Sequence, residues 1–190
     1  MNHWLLIGVL SVIIISIVIL FREYAKKQSS QINKWYRLAT TDDLTHLKNH
    51  TAYTLHIKEI EKKRQTISIA FLLFDIDHFK EINDHHGHMT GDRMLQMVSF
   101  ILKDLFSEPQ YSVYRIGGDE FAVIGENCSE KEVISKLLQL REYENEQRIP
   151  RFSKGYSIIH QKESFDEAFL KADEMLYADK MSKKMSNKTQ

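Results

Sequence analysis

Cysteine is nearly absent. The 190 residues carry one, Cys128, so no disulfide can form within the chain. That count suits a reducing compartment, and Cys128 reads as a small residue after a strand rather than a nucleophile. Two prolines and seven glycines exclude a collagen-like or low-complexity chain. A surplus of one charge is missing as well. Lys plus Arg number 26 and Asp plus Glu 26, so the basic footprint expected of a nucleic-acid binder is not there. No internal repeat is present.

What stands out is one long apolar run. Trp4–Phe21 (WLLIGVLSVIIISIVILF) carries no charge and is long enough to cross a hydrocarbon core as a helix. No Lys or Arg precedes it and no A-x-A site follows it, so it is read as a retained span rather than a cleaved leader. Arg22, Lys26 and Lys27 follow at once, which predicts a single-pass cell-membrane protein with its body in the cytoplasm. The expected organisation is a transmembrane helix over 1–21, a helical stalk over 22–40, a globular domain over 41–185 and a disordered tail over 186–190. Ala25, Gln28, Ile32, Trp35 and Ala39 fall at a/d-like spacing along the stalk. A seam this short leaves two readings open: a parallel coiled coil pairing two subunits, or a helix docked on its own domain.

In the body, Thr40–Asp43 offers N-cap residues, and Leu44, Leu47, Ala52, Leu55, Ile57 and Ile60 predict a helix to Lys63. Thr66–Phe74 is a continuous apolar run, read as a central strand covered on both faces. It ends in Asp75-Ile76-Asp77, where acids at the end of a buried strand suit a ligand crevice. Phe79–His88 reads as a short helix or loop, and Gly91–Leu105 as an amphipathic helix with Met94, Leu95, Met97, Val98, Ile101, Leu102 and Leu105 apolar. Tyr111–Gly125 (YSVYRIGGDEFAVIG) reads as a hairpin, its Gly117-Gly118 pair supplying the positive φ of a tight turn. Helix is predicted over Ser129–Arg148, strand over Phe152–Ile159, and helix over Ser164–Met181 with Phe165, Ala168, Phe169, Ala172, Leu176 and Tyr177 inward. Ser182–Gln190 is expected to fray. The fold class is α/β, a sandwich with a mainly antiparallel central sheet flanked by helices and preceded by one transmembrane helix.

Four separated blocks resemble the GGDEF family of diguanylate cyclases over about Ala39–Lys184. Asp42–Asn49 is similar to D-x-L-T-G-L-x-N. Asp75–Asp84 follows, continued by Gly87-His88 and Gly91-Asp92. Arg115–Phe121 holds the name motif complete, and Ala172–Lys180 is similar to A-D-x-A-L-Y-x-A-K. The resemblance implies a nucleotide-cyclase-like fold and condensation of two GTP into cyclic di-GMP with loss of two pyrophosphates. Each of two facing domains of a homodimer would hold one GTP, with Mg²⁺ or Mn²⁺ as the cation. It further implies Asp75, the Ile76 carbonyl and Asp119 as metal ligands, since a hard cation asks for oxygen. Asp119 is then also the proton acceptor, Glu120 a neighbouring acid in metal or hydroxyl handling, and Lys80 the group that stabilises the transition state. Asn83 and Asp92 match guanine readers, because an amide and a carboxylate suit a guanine edge. His88 lies at a substrate-associated position, or is a loop histidine that packs locally. Lys180 matches a triphosphate-binding lysine, and Lys184 stands where an arginine is usual, keeping the charge without the bidentate geometry.

Other departures bear on function. His46 replaces a glycine, at a cost on the order of 1 kcal/mol if that position needs positive φ. His50 replaces a common arginine, Lys183 stands where glycine is usual, and the segment after the hairpin is short. These motivate an alternative: a catalytically degenerate module that binds GTP or a protein partner. Glu108 and Tyr111 occupy the positions of the R-x-x-D product-inhibition motif, so no inhibition through that site is expected. The histidines at 78, 85, 86 and 88 lack a matching ligand set and read as a hydrophilic loop rather than a zinc site.

Overall fold

The computed structural model describes residues 3–63, 68–146, 149–159 and 164–187. Two compact units emerge, Met1–Ala39 and Thr40–Gln190. The first is a single helix. Span and stalk are continuous in α1 (His3–Thr40), which contains the candidate membrane-spanning stretch, and none of its span window is buried. Ile32 and Trp35 of the a/d-like seam are exposed.

The second unit is a four-stranded antiparallel sheet in the order β2-β3-β1-β4. Its strands are β1 (Ile69–Ile76), β2 (Tyr111–Arg115), β3 (Glu120–Glu126) and β4 (Phe152–Ile159). Every residue of β1 is buried, which is why its sequence shows no polar alternation. Leu72, Phe74 and Ile76 face one core with Leu95, Val98 and Leu102 of α4 (His88–Leu105) and Val133 and Leu140 of α5 (Glu130–Asn145). Ile69, Phe71 and Leu73 face the other, with Ala52, Tyr53 and Ile60 of α2 (His50–Lys63) and Phe165, Ala168 and Ala172 of α6 (Phe165–Asn187). The antiparallel α/β sandwich predicted from the sequence is therefore the fold.

Several local expectations are corrected. The first helix of the body starts at His50, not at Leu44, because Asp42 is used in a turn. Its Oδ1 accepts from the Thr45 N–H (2.8 Å) and hydroxyl (2.6 Å). Asn49 is the cap instead, accepting from the Ala52 N–H at 3.1 Å. Strand β1 begins at Ile69; Thr66 and Ile67 lie outside the described residues. Helix α4 starts three residues early, after α3 (Phe79–His86), and the joint between them is Gly87 at φ 80°. Tyr177 was expected to face inward but is 64% exposed, and the apolar Met97 and Leu55 are exposed as well. α6 runs on through the expected fray to Asn187, and 188–190 lie outside the described residues.

The hairpin turn also differs. Gly87 alone among the described glycines has positive φ, so Gly117 and Gly118 do not turn the chain that way. Gly117 matters for close approach: a Cβ there would lie 2.3 Å from Glu120 Oε2. His46 does take the left-handed conformation, at φ 56°.

Gly155 sets the fit of α6 on the sheet. A Cβ at this position would lie 1.9 Å from the Ala172 carbonyl oxygen and 2.6 Å from the Leu176 nitrogen, both backbone atoms that cannot step aside. Gly155→Ala is expected to lower stability by about 3 kcal/mol through overpacking. Gly118→Ala, with nothing within 4 Å, should be near neutral. Thermal unfolding of the two variants in detergent, followed by circular dichroism, checks the contrast.

Candidate active site

The site forms where β1 ends. Antiparallel pairing sets Asp75 opposite Glu120 on one side and Ser153 on the other. The Ile76 N–H donates to the Asp119 carbonyl at 3.3 Å. Residues more than forty positions apart are thus brought together by β-sheet register alone. Asp75 is 8% exposed. Burial pushes its carboxyl above the ordinary range, Lys180 offsets this, and Asp119 and Asp77 add to it. The Lys180 Nζ sits 2.6 Å from Asp75 Oδ2. Glu120 is also pushed up, first by burial and then by Asp75 and Asp119. Asp75 thus pairs with Lys180, while Asp119 and Glu120 lie near enough to add electrostatic repulsion.

A second ion cluster lies alongside, and the sequence reading missed it. Lys183 donates to Asp77 Oδ2 (3.0 Å) and to the Phe152 carbonyl, and pairs with Asp179 Oδ2 (3.1 Å). The Ser153 hydroxyl donates to the other oxygen of Asp77. The available signal was spacing, since Lys183 is one helical turn beyond Lys180 and projects from the same face.

The remaining predicted residues surround this end of the sheet. Lys80 lies in the first turn of α3 and is exposed. Asn83 is on α3 and Asp92 on α4, either side of the Gly87 joint. Asn83 Oδ1 is buried without a hydrogen-bond partner and abuts Gly91, where a Cβ would lie 2.0 Å away. Asp92, His88 and Lys184 are exposed. Among the described residues no three His, Cys, Asp or Glu side chains are grouped to hold a metal ion. His78 and His85 instead bond the Glu81 carboxylate (3.0 Å) and carbonyl (2.7 Å). At the positions of the product-inhibition motif, Glu108 pairs with Lys136 at 2.6 Å.

The family model for the diguanylate cyclase GGDEF domain matches residues 39–186. The chain belongs to the GGDEF family. The GGDEF domain of DgcB from Caulobacter crescentus, solved in complex with c-di-GMP, has a TM-score of 0.69 at 29% identity, covering 76% of this chain and 91% of that one. Its coiled-coil and GGDEF form gives 0.72 at 27%, covering 83% and 89%. The diguanylate cyclase SiaD of Pseudomonas aeruginosa, in complex with its activator SiaC, shares the fold at 0.74 and 22% identity, covering 95% and 71%. A membrane protein of Staphylococcus epidermidis is 38% identical over 99 residues, half of this chain and 27% of that relative. Staphylococcus aureus has a similar one, 38% identical over 102 residues, 53% of this chain and 28% of its own length. The chain thus spans about a quarter of the curated relatives it matches, and its apolar N-terminal helix fits a membrane anchor.

The GGDEF hairpin is braced from outside the site. Arg115 Nη1 donates to Asp42 Oδ1 at 3.0 Å, and Nη2 to the Gly118 carbonyl at 2.7 Å. Burial raises the Asp42 carboxyl, but the Thr45 bonds and Arg115 outweigh it and hold the group below its ordinary 3.8. A depressed carboxylate stabilises the fold above its unfolded pKa and loses that effect as pH falls through the folded value. Asp42→Asn is therefore expected to cost about 1.5 kcal/mol at pH 7. The gap between variant and parent should close as pH is lowered below 3.8, as read from urea unfolding midpoints across pH.

Proposed function

We propose that the chain is a membrane-anchored diguanylate cyclase, joining two GTP into cyclic di-GMP and releasing two pyrophosphates between two copies of its domain. The observation that carries this reading is the convergence of Asp75, Asp119 and Lys180 at one end of the sheet. Asn83 lies close by in sequence on α3, with an orphaned buried acceptor.

The donor set fits Mg²⁺ or Mn²⁺. Asp75 and Asp119 with the Ile76 carbonyl offer only oxygen, and the crowded carboxylates lack cationic charge. A bound divalent cation would supply charge stabilisation to the α-phosphate and acidify the attacking 3′-hydroxyl. The other roles fall to this chain's own groups. Asp119, next to Glu120 at the turn, takes the proton from the 3′-hydroxyl. Lys80 faces the charge that builds on the phosphoryl oxygens. Lys180 is released from Asp75 to the triphosphate, and Lys184, exposed on α6, reaches its outer oxygens. Asn83 Oδ1 and the Asp92 carboxylate accept from the guanine N–H groups, with His88 beside them.

One domain holds one nucleotide, so a second copy must meet it. The exposed Ile32 and Trp35 of α1 support pairing of stalks. Arg22, Lys26 and Lys27 at the end of the apolar run support a cytoplasmic catalytic domain.

Incubating the detergent-solubilised chain with GTP and Mg²⁺, with mass spectrometry of the products, tests the reading. Cyclic di-GMP should form, and Asp119→Ala should abolish it while leaving the circular dichroism spectrum unchanged. Absence of product at dimer-favouring concentration would leave the domain as a GTP- or partner-binding module.

A further inference from the structure

A cavity of about 360 Å³ opens between the 46–48 turn, the C-terminal end of α4 and strand β2. It contains none of the residues assigned above to GTP, and of the two product-inhibition positions it includes Tyr111 alone. Its floor is apolar and buried: Leu47, Phe106, Tyr111 and Val113. Its rim holds His46, Lys48, Lys103, Ser107 and Ser112, and no carboxylate among the described residues lines it.

Among the described residues neither rim ammonium group has an acid at contact distance. The Lys48 Nζ donates to the neutral Ser112 hydroxyl at 2.9 Å and lies 5.4 Å over the Tyr114 ring. Crowding by protein around that ammonium lowers its pKa, with Glu126 offsetting only part of the effect. Lys103 is exposed and makes no ion pair among the described residues. Two cations without an ion-pair partner, with serine hydroxyls on the same rim, suit a dianion, and the floor suits an apolar body attached to it. The absence of a carboxylate disfavours a guanine edge, whose N–H groups need an acceptor.

We infer that this cavity is a second ligand site, for a small organic phosphate whose phosphate meets Lys48, Lys103 and the rim serines and whose apolar part lies on Phe106 and Val113. The wall that carries Lys48 is bonded to the hairpin: the Lys48 carbonyl accepts from the Arg115 N–H at 2.8 Å, and Arg115 holds the Gly118 carbonyl. An occupant therefore touches the segment that braces the GGDE turn. The site itself stands whether or not the domain turns over GTP.

Phenyl phosphate is the probe, titrated calorimetrically into the whole 190-residue chain in detergent. Binding should be stronger than that of phenol or inorganic phosphate. It should weaken at least tenfold in Lys48→Gln/Lys103→Gln and persist in Lys180→Met and Asp92→Asn. Lys103→Glu alters an exposed, unpaired position without threatening the fold, and should also abolish binding. No phenyl phosphate binding to the parent chain would overturn the inference. So would binding indifferent to Lys48 and Lys103, or binding lost in Lys180→Met.

Discussion

A carboxylate at the end of a fully buried strand sets the terms for this domain. Asp75 closes β1 in surroundings where an uncompensated charge is costly. Its compensation comes from Lys180, more than a hundred residues later, at 2.6 Å. That contact requires α6 to lie close against the sheet, and Gly155 opposite Ala172 allows the approach. The hairpin is placed by the same strand, since β1 pairs with β3 from Ile69↔Glu126 to Asp75↔Glu120. The chemistry of the site and the packing of the fold are therefore one problem with one solution.

Charge is arranged in two tiers at this end of the sheet. Asp77 and Asp179 are held by Lys183, Ser153 and backbone donors. Among the described residues Asp75 has Lys180 as its one ion-pair partner, and Asp119 and Glu120 crowd it with like charge. The first tier is satisfied by the protein, whereas the second is short of positive charge, which suits the cation-dependent chemistry proposed above. Lys183 makes this division, in a position where the family usually has glycine. It engages Asp77 and leaves Asp75 to Lys180.

Much of this was legible in the residues. The apolar run of β1 announced a strand covered on both faces, because nothing polar interrupts it before Asp75. Acids at Asp75 and Asp119 were readable as neighbours once strand and hairpin were placed side by side. The start of α2 was misread because Asp42 looks like a helix cap. Its carboxylate is claimed by Thr45 and Arg115, and the arginine lies seventy-three residues away, beyond any local pattern. Gly117-Gly118 looked like a positive-φ turn, but neither has positive φ, and Gly117 alone is crowded, by the Glu120 side chain. The ion-pair role of Lys183 escaped notice because a lysine near a helix end is ordinarily solvated. Only the meeting of α6 with β4 gives it Asp77.

The central claim is that Lys180 stands in the place a divalent cation would take beside Asp75. Mn²⁺ binding to the nucleotide-free chain, followed by electron paramagnetic resonance, tests it most directly. Removing the competing ammonium by Lys180→Met should tighten Mn²⁺ binding several-fold, and Asp75→Asn should abolish it. Unchanged or weaker Mn²⁺ binding in Lys180→Met, or binding that survives Asp75→Asn, would contradict the account.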